Sequence, residues 1–175
     1  MTLDTTLRAK LSGQSKDIFR KKVGPRERIL VKASSGGATI FITALVTRKG
    51  ETAASPEVDL AAKGQPIAGV IVGEAWAATD LTKDSDSPYA DGSWLLMERI
   101  YPGDQVWLTA KTNTAITFGG SVQVDGGFII NFAYTDAAAA TDTLSGVVGN
   151  VIIGCAATAA TEKLCLIEAG IPGAV

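Results

Sequence analysis

The sequence predicts an all-β fold, a compact antiparallel β-barrel or sandwich of about nine short strands with an extended N-terminal arm. Short apolar segments rich in Val, Ile and Thr recur at a spacing of roughly 8–12 residues. The 19 glycines supply turn signals between them. One pattern, an apolar strand followed by Gly and small residues, occurs at 67–75 and again at 147–156. These features favour strands and tight turns over helices.

The length and composition indicate one folded domain with an arm. The chain has 175 residues, of which 46% are hydrophobic and 19% charged, so a sizeable core can be buried. We assign residues 1–28 to a basic arm and residues 29–175 to the β-domain. No apolar run approaches the roughly 20 residues that span a bilayer, and the N-terminus lacks a secretory pattern. We therefore expect that the protein does not associate with membranes and that it is made in a cytosol-like compartment.

The arm precedes a predicted hairpin. The arm has no strong periodicity, although Leu3, Leu7 and Leu11 permit a short helix near its start. Strands at 28–32 and 38–47 flank a Ser- and Gly-containing turn, which indicates a hairpin with a four-residue loop.

After a polar connection at 48–65, the sequence predicts seven more strands. The strongest turn signal is Asp125-Gly126 with Gly127, which predicts a tight hairpin. The strands are placed at 67–75, 93–100, 105–110, 114–124, 127–134, 147–157 and 163–168.

Charge is distributed unevenly along the chain. Residues 1–32 hold nine Lys or Arg and three acids, a net +6, whereas the remainder holds seven bases and fifteen acids, a net −8. A basic arm beside an acidic body favours docking on an acidic neighbouring subunit. Two alternatives for the arm are that it binds the phosphate backbone of a nucleic acid or that it is a solvated tail. We expect no sequence-specific binding of nucleic acid. The candidate docking residues are Arg8, Lys10, Lys16, Arg20, Lys21, Lys22, Arg26 and Arg28.

The residue types argue against catalysis. The chain has no histidine, so the commonest general base is absent, and it has no GxSxG or phosphate-loop motif. Glu74, Glu98 and Asp104 on candidate strands are interpreted as solvent-facing charges rather than paired catalytic carboxylates. We expect no enzyme activity and no cofactor.

Two further features bear on metals and redox state. The acidic loop at 80–92 contains Asp80, Asp84, Asp86 and Asp91, which could bind calcium, but its spacing departs from the EF-hand pattern and a solvated loop is favoured. Cys155 and Cys165 lack zinc-site spacing. They are interpreted as small buried hydrophobes that could pair across a hairpin only in an oxidising compartment. We expect no metal site.

Aromatic residues offer one alternative function. Five of them lie within 76–107, and aromatic platforms near carboxylates suit sugars, although core or interface anchors are the favoured interpretation. These residues are Trp76, Tyr89, Trp94, Tyr101 and Trp107.

Three strings carry a resemblance to a known family. They are Pro-Gly-Asp-Gln-Val-Trp-Leu at 102–108, Ile-Ile-Gly-Cys-Ala at 152–156 and Glu-Lys-Leu-Cys-Leu-Ile-Glu at 162–168. Over about 64–168 the chain resembles the small decoration, or cement, proteins of tailed-virus capsids. This resemblance implies a compact β-barrel-like module that assembles as a trimer outside a capsid and grips it with an N-terminal arm. It implies a structural role and no catalytic residues.

The resulting functional expectation is a non-enzymatic virion protein that binds the outside of an icosahedral bacteriophage capsid and stabilises it. Its partner would be the major capsid protein, and it would be made in the host cytoplasm. The alternative is a ligand- or glycan-binding spike or tail component. Trimer formation is expected through a small-residue loop comprising Ala137, Ala138, Ala139 and Ala140.

Overall fold

The computed structural model describes residues 17–34, 39–52, 55–75, 88–132, 146–155 and 164–170. No helix within these ranges is long and apolar enough to cross a membrane. The described residues form eleven strands: β1 (Phe19–Lys21), β2 (Arg28–Ala33), β3 (Leu45–Thr52), β4 (Ser55–Leu60), β5 (Gly69–Glu74), β6 (Trp94–Glu98), β7 (Gln105–Thr109), β8 (Ser121–Asp125), β9 (Phe128–Asn131), β10 (Val147–Ile153) and β11 (Leu164–Ala169).

The strands form two units, and the all-β prediction is confirmed. A six-stranded antiparallel sheet has the order β1-β7-β11-β10-β8-β9. A five-stranded closed barrel has the order β2-β4-β3-β5-β6. Within the barrel, β2 and β4 run parallel and the other neighbouring pairs are antiparallel. The chain therefore combines the barrel and the layered sheet that the sequence left as alternatives.

The principal core lies between the barrel and the sheet. Val70 and Val72 of β5 pack in this core, whereas Ile71 between them packs inside the barrel. Successive side chains of a strand point to opposite faces, so a strand buried on both faces needs an unbroken apolar run. From the sheet side, β7 contributes Val106 and Leu108 to the same core. The two units are thus joined by shared apolar burial.

The prediction of nine strands missed two. β1 lies inside the predicted arm, and β4 lies inside the predicted polar connection at 48–65. β4 alternates polar and apolar residues and begins with Ser55-Pro56, and only Val58 among its described side chains is fully buried. Pro in a strand argues against a central position, which is why composition alone favours a loop there.

The predicted hairpin between 28–32 and 38–47 is wrong. β4 lies between β2 and β3 in the barrel, and β2 pairs with β4 and β6. Residues 39–44 are not a strand, and they contain a turn in which Thr43 has a φ of 73° and Ala44 N–H donates to the Phe41 carbonyl at 3.1 Å. The apolar run there is buried by two cores, so its hydrophobicity does not report strand structure.

The Asp125-Gly126-Gly127 hairpin is confirmed. Asp125 pairs with Phe128, which leaves Gly126 and Gly127 as a two-residue turn with φ of 61° and 82°. Gly127 also packs on the barrel, because its N–H donates to the Ala61 carbonyl at 2.9 Å. A Cβ at Gly127 would lie 2.5 Å from Leu60 Cδ2, whereas a Cβ at Gly126 would meet nothing within 4 Å.

The two glycines make a matched test of how the hairpin docks on the barrel. Gly126→Ala should cost about 1 kcal/mol of unfolding free energy, because only the positive φ is disfavoured. Gly127→Ala should cost about 2 kcal/mol, because the end of the Leu60 side chain must also move aside in addition to the same backbone penalty. Urea unfolding of both variants measures the difference. Equal losses would mean that the turn does not pack tightly against the barrel.

Candidate functional site

The turn before β7 presents a buried carboxylate. Tyr101-Pro102-Gly103-Asp104 closes with a hydrogen bond from Asp104 N–H to the Tyr101 carbonyl at 3.0 Å, and Gly103 has a φ of 86°. Pro at the second position and Gly at the third suit a type II turn. The Asp104 side chain is fully buried and accepts the Tyr101 N–H at 2.8 Å. The sequence-based interpretation of Asp104 as a solvent-facing charge is therefore wrong.

Asp104 holds the segment that precedes β2. Val23 N–H and Gly24 N–H donate to Asp104 Oδ1 at 2.7 and 3.2 Å, and Lys22 Nζ donates to Oδ2 at 2.6 Å. The carboxylate therefore accepts four donors, three of them from residues 22–24. Gly24 is close enough to Tyr101 that a Cβ would lie 2.4 Å from its ring. The close approach requires a glycine at this position.

Lys22 is enclosed on several sides. Its side chain is only 6% exposed, and Nζ also donates to the Arg99 carbonyl at 2.5 Å. The ammonium lies 4.4 Å from the ring centroid of Phe19 and 5.0 Å from that of Tyr101, within the range of cation–π attraction. Burial of a Lys is tolerated when its charge is paired and its hydrogen bonds are made.

A second buried carboxylate completes the group. The Glu98 side chain is 0% exposed, and its Oε1 lies 3.9 Å from Lys22 Nζ. Its Oε2 lies 3.3 Å from Arg28 Nε and 3.9 Å from Arg26 NH1. Oε1 has no hydrogen-bond partner among the described residues. We call Lys22, Glu98 and Asp104 the buried charge cluster.

The electrostatics of the cluster favour the ionised state of Asp104. Burial alone would raise the pKa of this carboxyl, but the hydrogen bond from Lys22 and those from three backbone N–H groups lower it below its ordinary value. Nearby, a hydrogen bond from Arg26 to Asp17 raises the pKa of the Arg26 guanidinium further above its ordinary value. The Arg26–Asp17 contact lies within the segment at 17–28, whereas Lys22–Asp104 and Arg28–Glu98 hold this segment to the body.

This placement corrects the interpretation of residues 17–28 as an extended arm. β1 pairs with β7, and Ile18 and Phe19 are buried in the principal core. Lys22, Arg26 and Arg28 contact carboxylates of this chain.

The other predicted docking residues lie elsewhere. Arg20 and Lys21 are exposed on β1 and have no ion pair among the described residues. Arg8, Lys10 and Lys16 lie outside the described residues. The docking role of these residues stays a prediction.

The remaining predicted sites are only partly described. Ala137, Ala138, Ala139 and Ala140 lie outside the described residues, as do residues 80–87 of the acidic loop. Within the described ranges, no three His, Cys, Asp or Glu side chains are grouped as metal ligands.

The aromatic residues do not form a single platform. Tyr89 is 3% exposed and packs inside the barrel, and Trp107 is 9% exposed beside Leu164 and Leu166. Trp94 and Tyr101 are half-buried, and Trp76 lies outside the described residues. Two of the five residues suggested for sugar stacking are thus core residues.

A cleft of about 630 Å³ lies where the barrel meets the sheet. Its walls present polar and apolar surface in similar amounts and come from 67–69, 100–102, 146–148 and 169–170. Arg48 and Arg99 also line it, and Arg99 NH1 lies 3.5 Å from the Glu27 carboxylate. Clefts between structural units are common ligand sites, but the Arg99 guanidinium in this cleft is already paired with Glu27.

Removing the charge of Asp104 should destabilise the fold strongly. In Asp104→Asn, Lys22 keeps a buried charge without its closest partner, so the expected loss is about 3 kcal/mol or more of unfolding free energy. The matched control is Asp125→Asn, because Lys111–Asp125 is an ion pair at 47% and 31% exposure. That variant should lose about 1 kcal/mol or less. Similar losses in urea unfolding would contradict a dominant role for the buried charge cluster.

The lowered pKa of Asp104 also predicts a pH dependence. A carboxyl with a depressed folded-state pKa stabilises the fold above its unfolded pKa, and this stabilisation is lost as pH falls through the folded value. The contribution should therefore be complete above about pH 4, given an ordinary value of 3.8, and should disappear at lower pH. The gap in unfolding free energy between the wild type and Asp104→Asn should narrow over that acid range. If the difference in unfolding free energy did not change with pH, protonation of Asp104 would not contribute to acid destabilisation.

Comparisons with known proteins inform the fold. No family model matches the chain, and no curated protein matches its sequence. Among solved structures, the chain is similar to the N base of head fiber gp8.5 of bacteriophage phi29, with a TM-score of 0.55 and 13% sequence identity. The match covers 84% of this chain and 96% of that chain. The likeness therefore extends over nearly the whole of the phage domain and shows a shared all-β fold.

Proposed function

We propose that this chain is a non-enzymatic structural protein of a bacteriophage virion, attached to the outside of the capsid. The observation that carries the proposal is the shared fold with a head fiber base, which covers 96% of that phage domain. The absence of histidine from the sequence supports a role without acid–base chemistry.

The capsid contact is assigned to the exposed part of the basic segment. Lys22, Arg26 and Arg28 are engaged within the chain, so the docking charges are Arg20 and Lys21 of β1 together with the basic residues before residue 17. β1 is an edge strand of the sheet. Charged residues on an edge strand discourage non-specific strand pairing with other chains and can still contact an acidic surface. The proposed partner is the major capsid protein.

We also propose, more specifically, that the protein stabilises the capsid shell. Many copies on one capsid add interfaces that exist only in the assembled state, so even modest affinity per copy stabilises the particle by mass action. We further propose that the protein acts as a trimer, with Ala137–Ala140 as its contact. A trimer presents three docking surfaces together and so raises avidity without new contacts.

The truncation that tests docking must spare the buried charge cluster. Removal of residues 1–28 would leave Glu98 and Asp104 buried without Lys22 and would expose the core around Phe19. We therefore expect that variant to unfold. Removal of residues 1–16 should leave the fold intact, because β1 and Lys22 remain. Circular dichroism and urea unfolding show whether each truncated protein is folded and how stable it is.

Particles stripped of this chain and then reloaded test the proposed function. The wild type should saturate the particles and raise their rupture temperature. Arg20→Glu with Lys21→Glu should bind at least about tenfold more weakly, with a reduced salt dependence. The control is Lys63→Glu, an exposed charge reversal in the barrel loop. Unchanged affinity of the double variant would refute the β1 contact, and failure of the wild type to bind capsids would refute the proposed function.

A further inference from the structure

Two cysteines approach each other at the boundary of the principal core. Cys165 lies in β11 opposite Leu108 of β7 and is fully buried in that core. Cys155 follows β10, is half-buried and packs against the same core. The two sulfur atoms are 3.2 Å apart. The side chains therefore already face each other.

The backbone on both sides is fixed by sheet hydrogen bonds. Cys155 exchanges two backbone hydrogen bonds with Ile116, at 2.8 and 2.9 Å, and Cys165 is held in the ladder between β11 and β7. A disulfide has an S–S bond of about 2.05 Å, so the sulfurs must approach by only about 1.2 Å. Rotation about the two Cα–Cβ bonds can supply a movement of this size without moving the strands.

We propose that Cys155 and Cys165 form an intramolecular disulfide under oxidising conditions. Both cysteines are thiols in a reducing cytosol. The half-buried Cys155 is the more accessible attacking thiol, and Cys165 is the resolving thiol. The pairing itself does not depend on the proposed function. Only its timing does, since a virion protein is made in a reducing cytoplasm and released into an oxidising medium.

A low-molecular-weight disulfide, such as glutathione disulfide, is the oxidant. The Cys155 thiolate attacks one of its sulfurs, its S–S bond breaks, and one glutathione thiolate leaves, giving a mixed disulfide on Cys155. The Cys165 thiolate then attacks the Cys155 sulfur and expels the second glutathione. Two protein thiols are thus oxidised, one glutathione disulfide is reduced to two glutathiones, and the two thiol protons go to solvent or to the departing thiolates.

The disulfide would stabilise the fold by reducing the conformational entropy of the unfolded chain. The crosslink closes the ten-residue separation between positions 155 and 165. Loop-closure entropy for such a separation, converted for a domain of this size, predicts a rise in Tm of about 5–10 °C. The oxidised virion protein would therefore be more heat-resistant than the newly made chain.

The test is refolding of the full chain from denaturant in buffers of glutathione and its disulfide, because both thiols are accessible before folding. The expected product is a chain that has no disulfide to another molecule, has lost two hydrogen atoms, resists alkylation by iodoacetamide and melts about 5–10 °C above the reduced protein. Reduction with dithiothreitol should reverse both the mass change and the Tm shift. Cys155→Ser and Cys165→Ala should each abolish the redox dependence of Tm.

Two results would overturn the proposal. One is a folded chain in which both cysteines remain alkylatable after refolding with excess glutathione disulfide. The other is an oxidised product that contains only disulfides between chains or with glutathione. Capsid binding is not measured in this experiment, so its outcome is independent of the proposed function.

Discussion

The buried ion pair between Lys22 and Asp104 is the interaction on which the arrangement of the N-terminal segment depends. Desolvating two charges is costly, and their mutual attraction offsets this only when the remaining hydrogen bonds are made. Asp104 meets the condition, because it also accepts three backbone N–H groups. Removing one partner of such a pair is costly, because the other charge is then left buried and unpaired. The pair fixes residues 22–24 against one turn and thereby sets the path of the chain from β1 into the barrel.

The same cluster changes the meaning of the charge asymmetry. A basic N-terminal stretch and an acidic remainder predict mutual attraction, and that attraction is present in the structure, with Lys22, Arg26 and Arg28 beside Glu98. The sequence-based expectation placed the acidic partner on another subunit. Net charge does not distinguish contacts within a chain from contacts between chains, because both obey the same Coulomb attraction. Among the described basic residues of 17–28, Arg20 and Lys21 are the two that make no ion pair with another described residue.

Local signals predicted what is local in this fold. The type II turn at 101–104 and the two-residue hairpin at Gly126-Gly127 depend on neighbouring residues, and both could be predicted. The parallel pairing of β2 with β4 could not, because it joins segments separated along the chain and leaves no periodic pattern. The burial of Glu98 could not be predicted either. A Glu on a strand is usually exposed, and its burial depends on Lys22, 76 positions earlier in the sequence.

The topology also restricts where a partner can add to the sheet. The barrel is closed, so its strands present no edge. At the β9 side of the six-stranded sheet, Ile129 forms a bridge with Ala110 and its carbonyl accepts the Lys111 N–H at 3.0 Å, so this edge is partly covered by the chain itself. Among the described strands, β1 is left with β7 as its single neighbour. β1 is also the strand that the buried charge cluster holds in place through Lys22, which adjoins it. The contact that orders the N-terminal segment therefore also fixes the strand that carries Arg20 and Lys21, so the acidic partner that we propose would not have to order this strand on binding.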